Sequence, residues 1–313
     1  MKVYAIFPDT LNNSMAIHDM PIEALSQAGV LCEKQESFFS STISKINHDD
    51  LVIMWVGTRD EDRLSKFANL NCRKVIRNID SCSSDRILFK RELEIYQKLG
   101  LEGLLVAYCT DYNLNFLSDK NIKVIKYPHL FDFKKFAKNS IKKQTDVFIS
   151  GHLSEKSYPL RNKLANFFMK RQHKYKITYL PHPGYRLNNL THNVYGQDYI
   201  DLASRSHISI VCTGDDDSLV VKYLEFAAAL TLPIGDAPSN MPDDAKNQMI
   251  LVSKDMSDSE IEYIVDRALF DKKELEKRIL QYRKTMEHHF DIKKTSEIIQ
   301  QLIDNKYDNL NKS

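Results

Sequence analysis

The chain has 313 residues, 42% of them hydrophobic, and its 44 basic and 42 acidic residues leave a net charge of +2. This length is typical of two globular domains of ~150 residues each. The nearly balanced charge argues against a nucleic-acid-binding protein, which needs a basic excess to contact phosphates.

The cysteines and apolar runs indicate the cellular compartment of the protein. No two cysteines have CxxC spacing, which favours reduced thiols over a disulfide framework or a zinc site. No apolar run approaches the ~20 residues that cross a bilayer. We therefore expect a cytoplasmic protein whose contact with a membrane, if any, would be peripheral at its inner face. The cysteines are Cys32, Cys72, Cys82, Cys109 and Cys212.

The first half of the chain alternates short apolar runs with helical patterns. Strands are predicted at 2–7, 50–56, 73–79, 103–109 and 122–128, and helices at 21–29 and 84–99. Such alternation is typical of a parallel sheet with helices on both faces.

The basic segment 131–144 contains no strong apolar run, and we interpret it as a linker. The alternation then restarts. Strands are predicted at 145–151, 176–180, 207–212, 230–236 and 249–253, and helices at 159–170, 197–204, 218–230 and within 257–303.

Two doubly wound, Rossmann-like α/β domains are therefore predicted, at 1–135 and 136–290, followed by a C-terminal helix and tail at 291–313. Ligands of such sheets bind beyond the carboxyl ends of the strands. We expect the binding site in a cleft between the two domains.

The stretch CTGDDDSLVVKYLEFAAALTLPIGD, at 212–236, carries the strongest functional signal. On a helix at 218–230, Ser218, Lys222 and Glu225 would share one face. The other helix positions are apolar, so the helix should be buried, and a buried charge needs a partner. Either Lys222 and Glu225 form an ordinary surface ion pair, or the stripe lines a ligand site. We prefer the second interpretation, with Glu225 accepting hydrogen bonds from sugar hydroxyls and Lys222 facing phosphate.

The acidic run before this helix allows three interpretations. Asp217 is a suitable helix N-cap. Asp215 and Asp217 could instead hold a divalent cation as a DxD pair, or one carboxylate could bind a sugar. The metal interpretation is disfavoured because DxD enzymes usually have a single-domain nucleotide-sugar fold, and we predict no metal site.

Four further residues are candidates for the site. Gly151 follows a strand, where it marks a turn or a close backbone approach, and its amide with Arg161 could cradle a phosphate. His182 follows the next strand and either contacts a phosphate or base or is structural. Asp80, at a strand end in the first half, is the candidate catalytic carboxylate of that half.

Segments 146–164, 199–214 and 222–236 resemble the donor-binding half of a GT-B glycosyltransferase. More closely, they resemble bacterial glycosyltransferases of the spore-maturation (CgeB-like) type, over roughly 130–290. The last segment is similar to the helix whose glutamate binds the nucleotide ribose in retaining GT-B enzymes, which implies that role for Glu225. A second acid eight positions earlier often contacts the donor sugar, which implies that role for Asp217.

The sequence also departs from this pattern. The small residue after the glutamate helix is usually glycine, but here it is Leu230, and the first domain lacks the glycine-rich loop often found after the first strand.

The resemblance implies a metal-independent, retaining transferase without a cofactor. It would move a sugar from a nucleotide-diphosphate sugar to a bacterial surface glycan, a teichoic-acid-like polymer or a lipid-linked saccharide. Gly151, Arg161, Lys222 and Ser218 would contact the donor, and basic side chains would stabilise the leaving diphosphate. Lys222 and Asp80 are the candidate catalytic residues, with the acceptor near Asp80.

Three alternatives remain. The pair His182-Pro183 resembles the HP pair with which some sialyl- and Kdo-transferases hold a CMP-sugar. The chain could also be a carbohydrate or nucleotide-sugar binder without catalysis. A sugar-nucleotide epimerase that shares the GT-B layout is the third.

Overall fold

The computed structural model describes residues 1–7, 22–55, 61–78, 96, 99, 101, 103–106, 123–126, 129–136, 142–182, 194–213, 217 and 219–304. The chain forms two compact units. Unit 1 comprises Met1–Leu130 and Ile292–Ser313, and unit 2 comprises Phe131–Asp291.

The strands of the described residues form one parallel sheet in each unit. Unit 1 contains β1 (Val3–Phe7), β2 (Leu31–Lys34), β3 (Leu51–Trp55), β4 (Arg73–Asn78), β5 (Gly103–Val106) and β6 (Val124–Lys126). Unit 2 contains β7 (Thr145–Gly151), β8 (Ile177–Pro181), β9 (Ser206–Ile210), β10 (Leu232–Gly235) and β11 (Ile250–Leu251).

The helices of the described residues connect and cover these strands. They are α1 (Ile22–Gln27), α2 (Glu61–Ala68), α3 (Phe133–Phe136), α4 (Pro159–Met169), α5 (Gly196–Ser204), α6 (Lys222–Ala228), α7 (Asp243–Lys246), α8 (Asp258–Phe270), α9 (Lys272–Phe290) and α10 (Thr295–Ile303). None of them is long and apolar enough to span a membrane.

The sheet of unit 1 has the order β2-β1-β3-β4-β5-β6 and is covered by apolar side chains on both faces. Side chains of β1 alternate between two clusters because successive residues of a strand point to opposite faces. Val3, Ala5 and Phe7 join the cluster that contains Leu25 of α1. Tyr4 and Ile6 join the cluster that contains Leu64 and Phe67 of α2.

The C-terminal helix α10 belongs to unit 1. Ile298, Ile299 and Leu302 lie in the same cluster as Val3. The Arg73 guanidinium donates from Nη2 to the Leu302 carbonyl at 2.9 Å and from Nη1 to the Ile303 carbonyl at 3.0 Å. A cation at this end satisfies carbonyl groups that have no partner within the helix.

The sheet of unit 2 has the order β11-β10-β9-β7-β8. Its first strand, β7, lies between β8 and β9, so the chain adds strands on one side and then on the other. Val147, Phe148 and Ile149 of β7 are fully buried. Ligands of such sheets bind at the carboxyl ends of the two strands where the direction of addition reverses, here β7 and β9.

The prediction of two α/β units with parallel sheets is confirmed, but two local features differ from expectation. The sequence did not reveal β2, because this edge strand is partly exposed and lacks a strong apolar run. It also missed α2. The helix expected at 84–99 lies outside the described residues except for Tyr96 and Leu99, both of which are buried.

The basic segment 131–144 is not a simple linker. Phe131 and Phe133 are buried. The Lys143 ammonium donates to the carbonyls of Ser204, Ser206 and Leu230. It therefore joins the end of α5 and the start of β9 to the turn after α6. The segment looked like a linker because lysines dominate it, whereas this lysine works as an internal hydrogen-bond donor.

Helix α6 is shorter than the 218–230 helix that we predicted. It begins at Lys222, and its C-cap is Ala229. Leu230 adopts a left-handed φ of 53°. Its N–H donates to the Ala227 carbonyl, and the Thr231 N–H donates to the Phe226 carbonyl. This is the Schellman pattern, in which glycine is the usual residue at the Leu230 position.

Gly235 provides a direct test of the close approach between β9 and β10. Its φ is +152°, and a Cβ atom at this position would lie 1.8 Å from the Val211 carbonyl oxygen. The Val211 carbonyl belongs to the backbone, and the added Cβ is attached to the backbone of Gly235. The clash can therefore be relieved only by a shift of the main chain. We expect Gly235→Ala to lower the free energy of unfolding of unit 2 by at least ~3 kcal/mol, measured by urea-induced unfolding followed by circular dichroism.

Gly29→Ala is the matched control. Gly29 has a φ of +79°, and a Cβ atom added there would meet no other atom within 4 Å. The protein should therefore lose only the ~1–2 kcal/mol of left-handed backbone strain. Equal effects of the two changes would contradict the close approach.

Candidate functional site

Gly151 ends β7 and allows two cationic side chains to approach the backbone. Its φ is +92°, which favours glycine. A Cβ atom here would lie 3.2 Å from Lys222 Cε and 3.3 Å from Arg161 Nη1. We call Arg161 and Lys222, beside Gly151, the cationic centre.

Arg161 of α4 is buried, and it joins the carboxyl ends of β7 and β9. Its Nη1 donates to the His152 carbonyl at 3.3 Å and its Nη2 to the Cys212 carbonyl at 3.1 Å. The guanidinium carbon lies 3.9 Å from the centre of the Tyr158 ring. Its Nε is buried and has no hydrogen-bond partner within the described part of the chain. Arginine stays charged when buried, so this side chain supplies a fixed positive charge.

Lys222 is the first residue of α6 and is only partly buried. Its Nζ donates to the Tyr199 hydroxyl at 2.8 Å and lies 3.5 Å from Ser150 Oγ. The pKa of Lys222 is lowered to about 8, mainly by burial; the charge of Glu225 opposes this shift and the charge of Arg161 contributes to it. The ammonium therefore stays mostly protonated at pH 7 and loses its charge as the pH rises through about 8.

Glu225 lies one turn further along α6 and is only 6% exposed. Among the described residues, its carboxylate forms no hydrogen bond or ion pair, and it does not pair with Lys222. The interpretation of these two residues as a surface ion pair is therefore wrong. Within the described part of the chain, the Lys222 ammonium is bonded only to neutral hydroxyls, and the Glu225 carboxylate is an acceptor, so a polar ligand could contact both groups.

A second hydrogen-bonded group orders the neighbouring ends of β9 and β10. The Asp236 carboxylate accepts from the Thr213 backbone N–H and from the Thr213 hydroxyl, each at 2.8 Å. The Tyr223 hydroxyl donates to the Asp236 carbonyl at 2.8 Å. Burial raises the pKa of Asp236. These contacts fix the chain where it leaves β9.

Asp217 is not the N-cap of α6, and that interpretation is wrong. The N-cap is Val221, which makes no side-chain capping bond. Asp217 instead has a left-handed φ of 48°. Its carboxylate accepts from the Ser239 backbone N–H at 3.2 Å, which holds this residue against the segment after β10. A contact of Asp217 with the donor sugar stays a prediction.

His182 follows β8, next to the end of β7. Gly151 and Pro181 are paired across the two strands. The rings of His182 and His152 lie 5.7 Å apart in an edge-to-face arrangement. His182 is thus close to the cationic centre in the sheet, and its contact with a ligand stays a prediction.

Several predicted residues lie outside the described part of the chain, namely Asp80, Asp215, Asp216 and Ser218. Within that part, no group of three or more His, Cys, Asp or Glu side chains could hold a metal ion.

The structure thus brings together Gly151, Arg161 and Lys222 of the predicted site. It adds Tyr199, which the sequence did not single out. A tyrosine at the start of an apolar helix has the same sequence pattern as an ordinary core residue, so the sequence contained no signal for its contact with Lys222.

Comparison with known proteins identifies the fold. No protein-family model matches the chain, and a search of curated proteins found no similar sequence. Solved structures are similar throughout the chain. Sucrose-phosphate synthase from Thermosynechococcus elongatus has a TM-score of 0.62 at 9% identity, over 99% of this chain and 100% of that one.

Two further structures are also similar. Anabaena HepE in complex with UDP has a TM-score of 0.59 at 9% identity, over 97% of this chain and 100% of that one. S. aureus TarM, solved with UDP and saccharides, has a TM-score of 0.55 at 13% identity, over 86% of this chain and 57% of that one. At such identities the likeness concerns the fold, and the chain has the two-domain α/β GT-B fold.

The cationic centre should bind a diphosphate, and inorganic pyrophosphate is a probe that needs no base or sugar. We expect pyrophosphate to raise the melting temperature of the wild-type protein in a thermal-shift assay. Gly151→Ala should reduce this shift, because the added Cβ would displace the ends of the Lys222 and Arg161 side chains.

Gly29→Ala carries comparable backbone strain in unit 1 and should keep the shift. A full pyrophosphate shift in Gly151→Ala would show that the anion does not bind beside this glycine.

Proposed function

We propose that the protein is a GT-B glycosyltransferase whose second unit binds the diphosphate of a nucleotide-sugar donor. One observation carries this proposal. Arg161 and Lys222 lie together beside Gly151, at the carboxyl ends of β7 and β9, and neither contacts a carboxylate of the described residues. Because neither cation contacts a described carboxylate, an anion placed beside them is attracted by both charges.

The arrangement suits the chemistry of sugar transfer. Negative charge builds up on the diphosphate as its bond to the sugar breaks, and fixed cations that face this charge stabilise the transition state. In the proposed complex the Lys222 ammonium contacts the phosphates directly. Arg161 attracts the phosphates through its charge without contacting them, since two of its nitrogens are already bonded to carbonyls. This assignment needs no metal ion.

Glu225 is proposed to bind the ribose of the nucleotide. A carboxylate is purely an acceptor and can take hydrogen bonds from two neighbouring hydroxyls. No donor among the described residues bonds to the carboxylate of the mostly buried Glu225, so two ribose hydroxyls would supply its hydrogen bonds. Asp217 is proposed as a contact of the donor sugar, and Asp80 as a catalytic carboxylate of the first unit.

The nucleotide and acceptor are proposed from the structural relatives. HepE has been solved with UDP and with UDP-glucose, and TarM with UDP and α-GlcNAc-glycerol. We therefore propose a UDP-sugar as the first donor to test, and a bacterial surface glycan or lipid-linked saccharide as the acceptor. A retaining, CgeB-like enzyme at the cytoplasmic face of the membrane remains part of this proposal.

A CMP-sugar transferase is the second candidate, and the position of His182 favours it. The ring of this histidine lies against that of His152, which directly follows Gly151. A histidine here could donate to the single phosphate of a CMP-sugar.

The nucleotide is tested by a thermal-shift screen with UDP, GDP, dTDP, ADP and CMP. We expect UDP to give the largest shift, because the structural relatives HepE and TarM have been solved with UDP. A ligand at 100 times its Kd stabilises the folded state by ~2.7 kcal/mol. A shift with CMP alone would replace the proposed donor class with the CMP-sugars.

Glu225→Ala tests the ribose contact. Loss of hydrogen bonds to a charged acceptor costs ~1.5–3 kcal/mol, so UDP should bind about tenfold more weakly or worse in isothermal titration calorimetry. Glu276→Ala, at an exposed position of α9, is the control and should bind UDP normally. Unchanged affinity in Glu225→Ala would remove this residue from the site.

Catalysis is tested by the release of UDP from UDP-sugars, with and without saccharide acceptors. Release that depends on the acceptor supports the transferase. Conversion of the sugar-nucleotide without any acceptor would indicate an epimerase. Binding without turnover of any donor and acceptor would indicate a binding protein.

A further inference from the structure

Tyr199 connects the core of unit 2 to the cationic centre. The residue lies on α5 and is 7% exposed. Its ring packs edge-to-face on Phe148 of β7, with centroids 5.6 Å apart, and stacks on Phe226 of α6 at 6.4 Å. The ring therefore has one fixed position among three elements, and the position of its hydroxyl is fixed with it.

The Tyr199 hydroxyl holds the end of the Lys222 side chain. It accepts from Lys222 Nζ at 2.8 Å and lies 2.7 Å from Ser150 Oγ. The ammonium also lies 4.5 Å from the centre of the Tyr199 ring, in the range of a cation–π contact. Because lysine has four rotatable bonds, its charge has no fixed place unless such contacts provide one.

We propose that Tyr199 is a positioning residue: its hydroxyl, bonded to Ser150, holds the Lys222 ammonium beside Gly151, where it meets the phosphates of the bound nucleotide. This inference rests on the proposed function, because it takes Lys222 as a phosphate ligand.

A tyrosine suits this role better than a carboxylate would. Burial raises the pKa of Tyr199 well above its usual value, so the hydroxyl stays neutral. It accepts a hydrogen bond from the ammonium without cancelling its charge, whereas an aspartate or glutamate would fix the lysine and neutralise it. The full positive charge is thus kept for the ligand.

Each element packed against Lys222 places a charged or polar group near its ammonium. Burial has the largest effect on the pKa of Lys222 and brings it to about 8, while Glu225 of α6 raises this pKa and Arg161 of α4 lowers it. Tyr199 of α5 and Ser150 of β7 contribute neutral hydroxyls. Since the protonated lysine attracts phosphate, the affinity for UDP should fall as the pH rises through about 8.

The test is isothermal titration calorimetry with UDP between pH 6.5 and 9.5 on wild-type protein and Tyr199→Phe. Phenylalanine keeps the buried ring and removes the hydroxyl alone. We expect UDP to bind about tenfold more weakly at pH 7. The pH at which affinity falls should also move downward, because the ammonium loses an acceptor that stabilises its charged form.

Tyr282→Phe is the matched control. This tyrosine of unit 2 is fully buried, and its hydroxyl donates to the Tyr223 carbonyl at 3.1 Å. The change removes one buried hydrogen bond to the backbone of α6 but none to the Lys222 side chain, so both the affinity and its pH dependence should stay as in the wild type. A purely structural role of Tyr199 would give the same result as this control.

Two substitutions of Lys222 separate the inference from the proposed function. Lys222→Met should weaken UDP binding, and Lys222→Arg should remove the fall in affinity near pH 8, since arginine does not titrate there. Wild-type affinity in Lys222→Met would overturn the proposed phosphate contact and the inference with it. Weak binding in Lys222→Met together with wild-type affinity and pH dependence in Tyr199→Phe would overturn the inference alone.

Discussion

The site of the second unit depends on two positive charges that lie side by side at the carboxyl edge of its sheet. Among the described residues, no carboxylate contacts either of them. Arg161 and Lys222 converge on Gly151, whose φ of +92° and lack of a side chain make room for them. Carbonyl oxygens hold the guanidinium and a neutral phenol holds the ammonium. Each of these partners fixes a position without removing a charge, so the positive potential is retained for a ligand.

The fold explains how the chain maintains this arrangement. β7 is buried on both faces and lies where the order of strands reverses. The ends of β9 and β10 are held together by the contacts of Asp236 with Thr213, and by the close approach of Gly235 to Val211. These contacts hold the carboxyl edge together, and regular elements hold charges in position better than loops do.

The sequence predicted the strands and helices that follow from a local apolar pattern. It did not predict features that depend on contacts between distant residues. Strands β1, β3 and β7 were found because a parallel sheet covered on both faces requires continuous apolar runs. Lys222 and Glu225 stood out because charges are rare on a buried helix. The contact of Tyr199 with Lys222 and the three carbonyls bound by Lys143 join residues far apart in sequence, and no local pattern encodes such pairs. Asp217 has good capping chemistry, but its backbone is left-handed and α6 begins five residues later.

The central claim is that Arg161 and Lys222 bind the diphosphate of a nucleotide, and a crystal structure of the protein with UDP tests it most directly. The account predicts a phosphate oxygen about 3 Å from Lys222 Nζ, with Tyr199 still bonded to the ammonium and ribose hydroxyls donating to Glu225. A complex in which UDP binds elsewhere, or in which its phosphates do not contact Lys222, would contradict the account.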